Sequence, residues 1–228
     1  MKKFLAFGAT ALVAIMILVG VVAYAYLKPV AAASEPIQAI AIASTAGTAT
    51  GNTTYTISQD SSKASFVIDE VLNGTPTTVV GSTNQVAGQL SVNPTSPSTA
   101  QIGTMQINAR TLATDNTNRD KATQNRILET ESYEYITFVP TSLIGLPETA
   151  TVGQSYTFQI VGQLTIRDQT HEATFTATVT PAADGTLQGN VTTTINYADW
   201  GIAVPSVPMV TGLAKTVTLN LDFVANPN

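Results

Sequence analysis

The stretch that most constrains the fold is Tyr156 to Val179, YTFQIVGQLTIRDQTHEATFTATV. Tyr156, Phe158, Ile160, Leu164 and Ile166 sit at alternate positions in its first half, and Ala173, Phe175, Ala177 and Val179 alternate with Thr174, Thr176 and Thr178 in its second. A period of two on both sides of the polar break Arg167-Asp168-Gln169-Thr170 predicts a β-hairpin with one apolar face. The first arm, Tyr156 to Ile166, would reach about 36 Å at the usual rise of a strand. Arms of that length belong to barrels or strongly bent sheets. Gly162 falls on the inward register of this arm, where a glycine marks a bend, a bulge or a close backbone approach.

The same period recurs along the chain. Ala64, Phe66 and Ile68 share a face, as do Val86, Gly88, Leu90 and Val92, and Met105, Ile107 and Ala109. Tyr133 to Val139 reads as another strand, ended by Pro140. Leu143 to Pro147 reads as an apolar loop, and Leu187 to Ile195 as another alternating arm. Val217, Leu219, Leu221 and Phe223 make a clear final strand, with Thr216, Thr218, Asn220 and Asp222 facing the other way. One short helix is expected over Arg119 to Leu128, capped by Thr117 or Asn118 and carrying Asp120 in its first turn. Clean alternation predicts antiparallel sheets with one wet side. Periodicity alone does not separate a barrel from a sandwich.

The N-terminus is of another kind. After Lys2 and Lys3, Phe4 to Leu27 carries no charge, and as a helix it would span about 36 Å. This predicts a membrane helix that anchors the chain with its body extracytoplasmic, in the periplasm or at the cell surface. A signal peptide cut after Ala31-Ala32-Ala33, giving a secreted body, is the alternative. The expected division is therefore an anchor or signal segment over 1–29, a flexible Ala/Ser/Thr-rich linker over 30–52 and a β domain over 53–228. The partner expected from this segment is a membrane, through residues 4–27.

Charge and cysteine content exclude several function classes. Beyond Ala33 there are 7 Lys and Arg against 15 Asp and Glu, a net charge of −8, so a phosphate backbone would be repelled and nucleic acid is not an expected partner. The chain has no cysteine, which removes disulfides, thiol catalysis and thiolate metal sites. His171 is the only histidine. One imidazole beside Glu172 falls short of the three or four ligands of a zinc site. No phosphate loop or nucleophile motif is present, and the chain reads as a non-enzyme.

Four segments resemble one family. They are Val86-Ala87-Gly88-Gln89-Leu90, Thr114 to Asp120 (TDNTNRD), Gly162 to Asp168 (GQLTIRD) and Asp199-Trp200-Gly201-Ile202. In order and spacing they are similar to motifs of the YceI-like, polyisoprenoid-binding, lipocalin-like proteins, over roughly Thr53 to Ala225. The chain departs from the family pattern at Lys121-Ala122-Thr123, which follows Arg119-Asp120 where the family often has a histidine and a leucine. It departs again at Asp168, where a glycine is usual. The resemblance implies an all-β fold, an extended antiparallel lipocalin-like barrel with one short helix, around an elongated apolar cavity. It implies non-catalytic binding, storage or transport of a long apolar lipid, with an isoprenoid quinone or polyprenyl lipid as the possible ligand and no cofactor.

In such a barrel Phe158, Ile160, Leu164, Ile166 and Phe175 would point inward and line the cavity. Trp200 would line it or pack in the core. Arg119 would either hold an acidic head group at the mouth or anchor its own helix and loop. The alternative function is an extracytoplasmic structural or adhesion β-module without a lipid ligand, for which the low charge and the Thr-rich strands are equally suited.

Overall fold

The computed structural model describes residues 28–33, 36–42 and 51–228. Thirteen strands form one antiparallel sheet. In chain order they are β1 (Thr53–Ile57), β2 (Lys63–Leu72), β3 (Thr75–Thr83), β4 (Val86–Ala87), β5 (Gln89–Val92), β6 (Gln101–Ile102) and β7 (Met105–Asn108). There follow β8 (Tyr135–Ile144), β9 (Tyr156–Ile166), β10 (Gln169–Pro181), β11 (Leu187–Asn196), β12 (Val210–Leu213) and β13 (Thr216–Pro227). The main path runs β4-β7-β8-β9-β10-β11-β13-β1-β5-β6, and β2 branches from it carrying β3 and β12. β13 makes the branch possible by its length. One side of it pairs with β11 over Thr216–Ala225, and the other pairs with β2 over Thr218–Asp222 and with β1 over Ala225–Pro227.

The closed, extended barrel expected from the sequence is instead an antiparallel half-barrel. Its path ends in β4 and β6, two residues each, and its branch ends in β3, which pairs only with β2. The two ends of the path approach through chain continuity at Gly88, whose carbonyl accepts a bond from the Ile57 amide at 3.0 Å. The segment between β7 and β8 covers the open side. It bridges Ala113 to Ser82 of β3, then forms helix α1 (Thr117–Ala122), which continues into one π turn over Thr123–Ile127. Asn116, not Thr117 or Asn118, is the cap, accepting from the amides of Asn118 and Arg119 at 2.9 and 3.2 Å.

The expected membrane helix, Phe4 to Leu27, lies outside the described residues. Among the described residues no helix is long and apolar enough to cross a membrane. Helix α1 and its continuation together reach about 16 Å, against about 30 Å of hydrocarbon. The fold, the membrane partnership and the anchored extracytoplasmic placement inferred from that segment are corrected accordingly.

The central hairpin has the expected arms, but its turn is tighter. Ile166 pairs with Gln169, so the loop is Arg167-Asp168 alone, with Arg167 at φ 58°. Positive φ at the first loop residue suits a two-residue hairpin and normally takes glycine. Pro140 does not end β8. It sits at a register shift between Pro140 and Ser142, because a bulge dispenses with the donor that proline lacks. Leu143 and Ile144 are therefore strand.

Apolar residues of β1, β2, β4, β5, β7 to β11 and β13 form one core, with Val86, Ala177 and Ala225 fully buried. Each fully buried large aliphatic side chain in it contributes about 1.5–3 kcal/mol.

Candidate functional site

The inner face of the half-barrel encloses a cavity of about 930 Å³. Alternation builds its walls: Phe158, Ile160, Leu164 and Ile166 from β9 stand beside Phe175, Ala177 and Val179 from β10. Val217, Leu219 and Leu221 of β13, with Phe66 and Ile68 of β2, form the opposite side. Leu112, Ile127 and Leu128, from the segment that covers the open side, complete the enclosure.

Strand glycines shape the lumen. A Cβ on Gly81 would stand 2.2 Å from the Phe66 ring, and one on Gly162 would stand 2.6 Å from the Phe138 ring. A Cβ on Gly189 would meet Phe223 at 3.0 Å, and one on Gly88 would meet Met105 at 2.0 Å. Each missing side chain lets a bulky neighbour lie back against the sheet rather than project into the cavity. Of the bend, bulge or close approach expected at Gly162, a close approach is present, and Phe138 also packs edge-on to Phe175 at 4.8 Å between ring centroids.

The cavity opens at one end. Its exposed lining residues are Asn73, Asn116, Asn118, Ser206, Val207, Met209 and Thr211. Arg119 stands here, already partnered. Its Nη2 donates to Glu70 Oε1 at 3.2 Å and its Nη1 to Asp115 Oδ1. The Glu70 side chain is 9% exposed, so the pair fastens α1 to β2 across the open side. Asp120 meanwhile accepts from the amide and hydroxyl of Thr114 at 2.7 and 2.6 Å.

Six of the seven residues singled out in the sequence border this one cavity: Phe158, Ile160, Leu164, Ile166, Phe175 and Arg119. Trp200 does not. It is buried behind the wall, where its indole Nε1 donates to the Leu164 carbonyl at 3.0 Å and its ring meets His171 edge-on at 5.2 Å. His171 itself is exposed. Sequence reasoning did not single out Phe66, Phe138 or the segment from Val204 to Leu213. The alternation of Ala64, Phe66 and Ile68 carried a signal for the first; the irregular segment carried none. Among the described residues no group of three His, Asp or Glu could hold a metal ion.

Residues 55–225 match the model of the YceI-like domain. Among curated proteins there is no match. Solved structures show the same fold. Burkholderia cenocepacia BcnA is 17% identical with a TM-score of 0.59, over 75% of this chain and 99% of that one. A polyisoprenoid binding domain from Saccharophagus degradans, implicated in plant cell wall breakdown, is 12% identical with a TM-score of 0.60, over 76% and 98%. The Campylobacter jejuni YceI protein is 17% identical with a TM-score of 0.50, over 63% and 81%. With three quarters of its length matched and the sheet and cavity as described, this chain belongs to the YceI-like family, whose members bind rather than catalyse.

Proposed function

We propose that the protein binds and carries a long apolar lipid of the isoprenoid class in this cavity. Family membership supports a general lipid-binding role, and a polyisoprenoid-binding relative has the same fold. The observation that carries the finer reading is a cavity of about 930 Å³ lined mainly by apolar side chains, with Asn73, Asn116, Asn118 and Arg119 among its polar lining residues. Such a lumen removes a hydrocarbon chain from water at about 25 cal/mol per Å² and leaves a few polar groups to orient the head. The state of Arg119 refines the head group. Two carboxylates, Glu70 and Asp115, already hold it, so an anionic head would have to displace them. A neutral head, as on an isoprenoid quinone, suits this mouth better than a phosphate. Phe158, Ile160, Leu164, Ile166 and Phe175 would contact the chain, and Arg119 would hold the helical cover closed.

The test is native mass spectrometry of the purified protein, with extraction and identification of retained lipid. Leu164→Trp adds bulk to the lumen and should lower lipid content severalfold in molecules that still give a β-type circular dichroism spectrum. Overpacking costs the fold about 1–3 kcal/mol, so retained structure is checked first. Equal content and affinity in the folded variant would remove Leu164 from the contact set.

A second reading has its own observation. The outer face of the sheet carries cross-strand hydroxyl and amide pairs, among them Thr157 with Thr178, Thr194 with Thr218 and Asn190 with Asp222. A hydroxyl-rich face of this kind also suits a structural or adhesion module. Wild-type protein that binds neither quinones nor polyprenyl lipids would favour that reading.

A further inference from the structure

The segment Gly201–Ala214 has no charged residue, being flanked by Asp199 and Lys215. It borders the cavity through Val204, Val207, Met209 and Val210, yet Val207 is 36% and Met209 58% exposed. The fold holds these two side chains out. The Val210 amide donates to the Val207 carbonyl at 3.0 Å, closing a turn around Pro208, and the Asn73 amide donates to the Met209 carbonyl at 2.8 Å. β12 then pairs with β2, and the Ala214 amide donates to the Asp69 carbonyl at 2.8 Å. The turn is thus tied to the β2–β3 hairpin from Met209 onward, with its apolar tip beside the mouth.

We propose that this turn, Val207–Val210, is a docking surface for a lipid layer with electrically neutral head groups, across which apolar cargo enters and leaves. The proposal rests on the lipid-carrier reading above. Continuity is its first support, because residues that line the lumen also form the exposed tip, so a hydrocarbon chain leaving the cavity stays against apolar surface. Charge is the second. The chain beyond Ala33 carries a net charge of −8, and the cation bordering the mouth, Arg119, is matched by Glu70 and Asp115. An anionic layer would repel the body, whereas a zwitterionic one would not.

The absence of cysteine allows a direct test on the full chain. Met209→Cys carries a polarity-sensitive fluorophore at the tip. Val152→Cys carries one at a site 61% exposed, before the start of β9 and so about 33 Å from the mouth end of that strand. Phosphatidylcholine vesicles should blue-shift the Met209 probe and leave the Val152 probe unchanged, and replacing part of the phosphatidylcholine by phosphatidylglycerol should weaken the shift. In unlabelled protein Met209→Ser should slow transfer of a fluorescent apolar lipid between vesicles about tenfold per molecule of lipid-loaded protein, the loading being read from native mass spectra. A Met209 probe that does not shift, an equal shift at both probes, a stronger response to anionic vesicles, or unchanged transfer by Met209→Ser would each overturn the docking surface. Wild type that retains no lipid would instead overturn the carrier reading, and the two failures are read by separate measurements.

Discussion

At the scale of single residues, the cavity depends on side chains that are missing as much as on those present. Gly81 and Gly162 each face an aromatic ring across the sheet, but they differ in what else is near. A Cβ at Gly81 would meet only the Phe66 ring within 3.1 Å, whereas one at Gly162 would also stand 2.5 Å from the Val139 carbonyl oxygen. A ring can rotate aside and a sheet backbone cannot. Gly81→Ala should therefore keep its melting temperature within a few degrees while turning Phe66 into the lumen and lowering lipid content. Gly162→Ala should lose about 1–3 kcal/mol in urea unfolding. Equal destabilisation by the two would show that Phe66 has no room to move. Burial has a further consequence at Tyr55, 7% exposed in the core, where desolvation raises the phenol pKa above its ordinary value.

At the scale of elements, the hairpin turns and the helical cover make separate demands. The β10–β11 turn is held by Asp184, whose Oδ1 accepts from the amide and hydroxyl of Thr186 at 3.0 and 2.7 Å. These bonds, the amide first, hold the Asp184 carboxyl below its ordinary pKa. A carboxyl whose pKa is lower in the folded chain adds stability that is fully present above its unfolded value. That stability is lost as pH falls through the folded value. Wild type should thus melt above Asp184→Asn near neutral pH, and the gap should close as pH falls below the ordinary carboxylate range, about 4. A gap that stays constant with pH would leave the charge of Asp184 without a role. The cover depends on Arg119, because removing it strands the Glu70 carboxylate against the cavity wall. Arg119→Met should raise amide hydrogen exchange over 117–127 before it changes the strands. Unchanged exchange there would show that the apolar contacts of Ile127 and Leu128 hold the cover unaided.

At the scale of the molecule, the described part of the expected linker lies along the sheet. Ile37 is 4% exposed, and its carbonyl accepts from Gln59 Nε2 at 2.6 Å. The Ile42 amide donates to Gln89 Oε1 at 3.3 Å, and the Ile42 side chain packs beside Gly103, next to the short strand β6. The segment from Lys28 to Ala33 is tied on as well, through Lys28 to Glu131 and Arg110 Nη1 to the Ala32 carbonyl. We propose that the folded unit reaches back to these residues rather than starting at Thr53. A chain that begins at residue 51 should keep a β-type spectrum but lose about 2 kcal/mol, or about 4–8 °C in melting temperature. An equal melting temperature would return 30–52 to the role of a tether.

What the sequence by itself determined is the local part. The arms Tyr156–Ile166 and Thr216–Phe223, their inward faces and the short helix after Thr117 were legible, because strand alternation and helix capping are written within a few residues of each other. The order of four family motifs carried the family in the same way. What only the tertiary structure decided depends on residues far apart in the chain. Arg119 meets Glu70 across 49 positions, and Trp200 is drawn behind the wall by a carbonyl 36 positions away. Pro140 stays in its strand because a bulge forms against β9. The half-barrel itself is decided at β4 and β5, where one chain segment turns at Gly88 and its two halves join opposite ends of the sheet path. Pairing of that kind is set by which strands remain available once the long arms have packed, and no local period records it.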